Sequence, residues 1–402
     1  MPVRPAAQRP SLVLCFAILL AATVGYQWIY CFSTTNNDLT GLFFCGAQIP
    51  HPPELEHSGY HYQDSPGYDG QMYRLIAHDP FQTKGYWKYL DDPKLRGGRI
   101  FISLVAGIVG GHSVGGVDIA YVVLVDLFLI FGGIFFVLLT EGHCSRWTAI
   151  ALYLAIPAVI ASTDRMLLDG PSIAGFLAVL YLLRESKYRV LVAVLIVLPV
   201  IRETNLAIVA GIVLIYLLRG NFRVAVAAGA AALPGIAWLA YNGTHTPETT
   251  IVHQISFPLL PHIRRLFTAA DLPLPPFANH AMQAIDVLSM GALLLTFGLI
   301  VVEAWRVWRD RRSGSLRAFP SSAAIVTIPS AIGLSFASGP EILVSPYGFL
   351  RVNSVLCTWA ILHLLQRENR QNRAWIASYA LVCSMGIGVY RVKPVLSFLA
   401  NL

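Results

Sequence analysis

Apolar runs of bilayer length recur along almost the whole chain. After a first run at 11–25 they fall at about 99–115, 117–140, 147–162, 167–183, 189–201, 204–218, 223–241, 283–305, 321–338, 347–365 and 374–391. A helix needs ~20 such residues to cross a hydrocarbon layer ~30 Å thick. A water-soluble chain of this length would need about a quarter of its residues charged. Here 55% are hydrophobic and 13% charged, which is workable only if lipid is most of the solvent. The expected fold class is therefore an all-α polytopic membrane protein, with residues 1–402 forming a single transmembrane domain.

Charge placement orders the runs. Arg4 and Arg9 precede the first run, and Tyr26, Trp28, Tyr30 and Phe32 follow it like an interfacial aromatic belt. A cleavable signal has a shorter core and a small-residue cleavage site, so the first helix is expected to stay, with its N-terminus cytoplasmic. If every run crosses, the basic loops 184–189, 219–223, 306–317 and 366–373 all fall outside, against the positive-inside tendency. Letting the glycine-rich segment 99–115 lie along the outer interface repairs this. About eleven spans result, with the C-terminus extracytoplasmic. Residues 32–116 become a large outer loop with interfacial helices, and 117–241 the core helices. The proline-rich 242–282 becomes a second outer loop with an interfacial helix near 260–268, and 283–402 the C-terminal helices. The net charge of +7 then reads as topology and calls for no nucleic acid.

On this arrangement the unusual polar residues gather at the outer boundary: Asp38, Asp69, His78, Asp79, Asp164, Asp169, Arg202, Glu203, Arg264, Arg265, Glu341 and Arg351. Charges at helix ends in a membrane protein are costly unless paired or functional. The densest stretch is GYDGQMYRLIAHDPF, 67–81. A helix is expected to begin near Gly70. Asp69 then either caps it or faces a cavity as a base for a hydroxyl proton. Tyr62, Tyr68 and Tyr73 offer stacking faces for a sugar, and His78-Asp79-Pro80 either turns the chain or binds substrate. In ASTDRMLLDGP, 161–171, Asp164 and Asp169 either make local contacts or orient substrate, with or without a divalent cation (Mg or Mn). His57, His61 and Asp64 have a spacing that two metal ligands often share by chance. Arg202 and Arg351 suit a lipid phosphate, which a guanidinium grips in a fork. Asp126 lies mid-span, as a packing partner or facing a cavity. Cys31 and Cys45 either pair or stay as buried thiols.

Taken together, GYDGQMYRLIAHDP, Arg99, Asp164 with Asp169, and Ile201-Arg202-Glu203 resemble a bacterial family with a YDGQ motif linked to cell-surface glycopolymer formation. That family falls in the GT-C superfamily of integral membrane glycosyltransferases, alongside protein mannosyltransferases and the aminoarabinose transferase. The resemblance covers about 40–220, with Met72 where an aromatic is usual. It implies a polyprenyl-phosphate sugar donor, a glycan, lipid or protein acceptor, and a bacterial inner-membrane location. Asp69 and Asp164 would be catalytic. Tyr68, Gln71, Tyr73, His78, Asp79, Arg99, Asp169, Arg202, Glu203 and Arg351 would contact substrate. The alternatives are a transporter of a lipid-linked sugar and a non-catalytic component of a glycopolymer assembly complex.

Overall fold

Small polar side chains start several of the helices of this protein. Ser11 accepts a hydrogen bond from the Leu14 amide, Ser113 from Gly116, Ser145 from Thr148 and Asn221 from Val224, each satisfying a donor the first turn leaves over. The structure is a computed structural model and describes residues 10–246, 258–267, 276–309, 319–336, 346–366 and 375–384. In chain order the helices are α1 (Leu12–Thr34), α2 (Pro53–Glu56), α3 (Asp69–His78), α4 (Pro93–Gly97), α5 (Phe101–Gly110) and α6 (Val114–Leu139). Then come α7 (Arg146–Leu154), α8 (Pro157–Arg165), α9 (Asp169–Arg184), α10 (Tyr188–Ile201), α11 (Leu206–Leu218), α12 (Phe222–Ala231) and α13 (Leu233–His245). The last are α14 (Leu260–Phe267), α15 (Pro276–Arg309), α16 (Phe319–Ser335), α17 (Pro346–Val352), α18 (Ser354–Gln366) and α19 (Trp375–Ser384). The described strands are two short parallel ones, β1 (Cys45–Gly46) and β2 (His61–Tyr62), which pair within the loop after α1.

Among the described residues, four helices are long and apolar enough to cross a membrane: Leu12–Thr34, Val114–Leu139, Phe222–His245 and Gln283–Arg309. Pro157 takes the first position of α8, so α7 and α8 meet at a 63° bend and count as a fifth span if taken together. The other apolar helices run 10–17 residues. The segment expected at the interface forms α5, whose ten residues rise only about 15 Å, half a hydrocarbon layer. The helix expected near 260–268 is α14. The basic loops 306–317 and 366–373 lie largely outside the described residues, as do Glu341 and the region of the C-terminus.

Helix α9 is the centre of the bundle. Fourteen of its sixteen residues are buried, and it packs on α6, α8, α10 and α18. Helices α11 and α16 pack together, and α3 lies across α5 and α6. Within the core, Gln27 of α1 donates to Asp126 of α6 at 2.8 Å, so Asp126 serves as a packing partner. Cys31 and Cys45 are buried free thiols.

Two glycines explain the spelling of the GYDG stretch. Gly67 has φ +84°, in the left-handed region, with the Gln71 amide against it. At Gly70 a Cβ would lie 2.2 Å from the Arg165 carbonyl oxygen and 2.8 Å from that of Phe43. The start of α3 therefore lies directly against the end of α8, which brings Asp69 to the head of the bundle.

Candidate active site

Asp69 is the first residue of α3 and does not cap it. The N-cap is Tyr68, and no side chain bonds there. The Asp69 carboxylate faces outward into a set of arginines. Oδ1 accepts from Arg96 Nη2 at 2.9 Å and Oδ2 from Arg351 Nη1 at 3.0 Å. Arg96 comes from α4, whose start is fixed by Asp92 accepting from the Leu95 amide; its guanidinium also grips Asp91, at 2.9 and 2.7 Å. The Arg351 guanidinium lies 5.2 Å over the Tyr68 ring and 3.9 Å from Asp169 Oδ2.

The network continues inward. Arg202 follows α10 and pairs with Asp169 at the head of α9. Arg99 donates to both oxygens of Glu203, at 2.7 and 2.6 Å, a two-point ion pair of the strong kind. Tyr73 Oη sits between the two arginines of the outer loop, accepting from Arg99 at 2.7 Å and Arg96 at 3.4 Å. Four guanidiniums (Arg96, Arg99, Arg202, Arg351) thus alternate with four carboxylates (Asp69, Asp91, Asp169, Glu203). The formal charges cancel.

This network borders a cavity of about 530 Å3, whose lining includes Arg99, Asp169, Arg202, Glu203 and Arg351. That is a size typical of small-molecule sites. Its lining also includes apolar side chains, among them Ile173, Ile208, Leu334, Phe336 and Val355. Ser172 donates to Asn205 at 2.6 Å, and Asn205 donates to the Leu198 carbonyl at 2.9 Å. These contacts brace the short turn Glu203–Asn205 between α10 and α11. The Arg202 Nε is buried without a hydrogen-bond partner among the described residues. A cavity lined by both ionic groups and hydrocarbon suits an amphiphile.

The electrostatics follow from the geometry. Burial alone would push the Asp69 carboxyl up, but Arg96 and Arg351 outweigh it and hold it well below the usual carboxylate range. Glu203 is likewise raised by burial and lowered more by Arg99, to about 2. Burial favours the neutral forms of Arg96 and Arg99, yet their carboxylate neighbours keep both firmly charged. Tyr68 is pushed up by burial, which Arg351 offsets in part.

Among the residues expected to contact substrate, Tyr68, Asp69, Tyr73, Arg99, Asp169, Arg202, Glu203 and Arg351 come together. Asp164 does not. It is buried on the last turn of α8, its carboxylate 3.8 Å from Arg165, and of the two it is Asp169 that lines the cavity. Gln71 is spent on backbone, accepting from the Gly46 amide at 3.0 Å and donating to the Pro66 carbonyl at 2.9 Å. His78 Nε2 lies 3.0 Å from Asp118, which also receives Arg74. Asp79 accepts from the amides of Lys84 and Tyr86, both at 3.0 Å. These three hold the outer loop together, and a polar group so committed has little left for a ligand. Tyr73 and Tyr62 offer no open stacking face either: Tyr73 is 2% exposed, and Tyr62 lies 4.0 Å from Phe44 with its hydroxyl on Tyr30.

Arg96 and Asp91 belong to the network but were not singled out from sequence. Their signal was Asp91-Asp92-Pro93, a helix start, with Arg96 and Arg99 three residues apart. His51 and His61 meet edge-on. No group of three or more His, Cys, Asp or Glu suited to an ion forms among the described residues. Comparison with family models, curated proteins and solved structures found no match to this chain.

Proposed function

We propose that this protein is a membrane glycosyltransferase of the GT-C type, with about eleven spans and its cavity opening at the extracytoplasmic face of a bacterial inner membrane. It would move a sugar from a polyprenyl-phosphate donor to a cell-envelope acceptor. The observation that supports this reading is a cavity lined by Arg202 and Arg351 together with apolar side chains, with Asp69 joined to it through Arg351. A lipid phosphate has the matching parts, an anion on a hydrocarbon tail.

In the reaction, the acceptor hydroxyl oxygen attacks the anomeric carbon and the bond from that carbon to the phosphate oxygen breaks. The hydroxyl proton passes to Asp69, and the electron pair leaves with the polyprenyl phosphate. Arg202 and Arg351 stabilise the charge gained by the departing phosphate. Positioned proton transfer contributes roughly 10²–10⁴-fold in rate. Asp69, held by two arginines, is a weak proton acceptor while both bonds are made. A donor phosphate that takes the Arg351 fork releases one carboxylate oxygen, which makes Asp69 more basic when substrate is present. Tyr68 holds Arg351 from below, and the Arg99–Glu203 pair fixes the floor. Asp169 holds Arg202 in position. A resident cation is not required by this scheme.

The transporter alternative needs charges along a path through the bilayer, and Asp126 is tied to Gln27. Binding separates the roles of the arginines from that of the acid. Polyprenyl phosphate added to the detergent-solubilised protein is expected to bind Arg202→Gln and Arg351→Gln about tenfold or more weakly than wild type, while Asp69→Asn binds at least as well. Unchanged binding by both arginine variants would argue against a phosphate in this cavity.

A further inference from the structure

The helices that form the active site carry a second cavity at their other ends. Asp169, Arg202 and Asn205, at the first cavity, stand at the start of α9, the end of α10 and the start of α11. Arg184 and Arg219 stand at the far ends of α9 and α11. Around them is a cavity of about 490 Å3, lined also by Ser186, Tyr216, Asn221 and Ser322. The 16 residues of α9 rise about 24 Å, so the two cavities are separate places.

The chemistry of this second cavity is that of an anion site. Among the described residues its lining is mainly polar and contains two guanidiniums and no carboxylate, with Glu185 pairing with Arg184 from beside it. Arg219 Nη2 donates to Ser322 Oγ at 2.6 Å, and its guanidinium lies 5.7 Å from the Tyr216 ring. Arg184 is anchored by the Leu138 carbonyl at 3.0 Å and by Glu185 at 3.0 Å. Both cations are thus positioned and not trailing in solvent. The Tyr216 side chain is 1% exposed, and its hydroxyl is buried with no hydrogen-bond partner among the described residues. An unsatisfied buried hydroxyl is uncommon and points to a missing partner.

We propose that this second cavity binds a phosphate ester, held by Arg184 and Arg219 with the Tyr216 hydroxyl as donor. The phosphate belongs either to a lipid headgroup in the leaflet at that end or to a soluble phosphate compound. The proposal stands independently of the chemistry at Asp69.

The test uses the full-length protein in nanodiscs of phosphatidylcholine containing phosphatidic acid, with lipid retention followed by native mass spectrometry. Wild type is expected to retain phosphatidic acid, Tyr216→Phe to bind it about tenfold more weakly, and Arg184→Gln/Arg219→Gln more weakly still. All three substitutions lie in this cavity, so a loss they cause does not belong to the first one. Displacement by millimolar inorganic phosphate assigns the site to soluble phosphates, and persistence assigns it to lipid. Should the double variant fail to give monodisperse protein, Tyr216→Phe decides, because it removes no hydrogen bond among the described residues. Wild-type retention in Tyr216→Phe, or in a well-folded double variant, overturns the proposal.

Discussion

Asp69 divides its two oxygens between Arg96 and Arg351, and substitutions that disturb this division are the most informative single changes. Arg96→Gln removes a partner that also grips Asp91. It is expected to raise the Asp69 pKa and shift the acid limb of the transfer–pH profile upward, which a pH–rate series on the variant would show. Glu203 gives a second pH signature. Its folded pKa of about 2 lies below the ordinary value of 4.5, so its contribution to stability is complete above 4.5 and is lost as pH falls toward 2. Melting temperature followed over that window should fall less steeply in Glu203→Gln than in wild type. At this scale the sequence was informative where a residue's type and placement left few uses for it. Arg202 and Arg351, at helix ends in an apolar chain, were expected at a site and line one. Asp164 was expected as the catalytic partner and Asp169 as a substrate contact; they lie five positions apart, and only the turn between α8 and α9 decides that Asp169 lines the cavity.

Elements were legible wherever an apolar run was uninterrupted. The run expected at 117–140 is α6, and α5 is too short to cross, as its glycines and length imply. The bend between α7 and α8 was less visible, although Pro157 marks it, because the apolar pattern runs through 147–162 without a break. Polar residues in the loop 33–98 were the hardest to assign. Gln71, His78 and Asp79 sit in the same motif as Asp69, yet they bond backbone or partners within the loop and bundle, which no local pattern distinguishes from binding. The packing of α3 on α8 gives a sharp prediction. Gly70→Ala puts a methyl 2.2 Å from the Arg165 carbonyl, backbone that cannot easily yield. It is expected to cost about 1–3 kcal/mol, seen as a lower unfolding midpoint in detergent, and to reduce transfer by displacing Asp69. Loss of the His78–Asp118 contact in His78→Gln should lower stability while leaving the affinity for polyprenyl phosphate near that of wild type, because His78 lies away from the cavity.

For the molecule as a whole, a bundle centred on α9 carries one charged cavity at the head of α9 and another at its foot. The proposed eleven-span arrangement requires these to face opposite sides of the membrane. Reporter fusions after residues 145 and 187 should both report the cytoplasm, and an extracytoplasmic signal at either would break the arrangement. Membrane character was legible from composition and run length alone, since no packing detail alters the cost of 55% hydrophobic residues in water. The site was legible only as a collection of residues on one side; their alternation of charge, and the recruitment of Arg96 and Asp91, depend on how α3, α4 and α17 meet. The central claim is that Asp69 takes the acceptor proton while Arg202 and Arg351 hold the phosphate. Its most direct measurement is sugar release from a panel of radiolabelled polyprenyl-phosphate sugars by purified wild type and Asp69→Asn, both verified to bind polyprenyl phosphate. Wild type is expected to release sugar to acceptor from at least one donor, and Asp69→Asn to be slower by about 10²-fold or more with binding retained. Transfer by Asp69→Asn at the wild-type rate would contradict the claim.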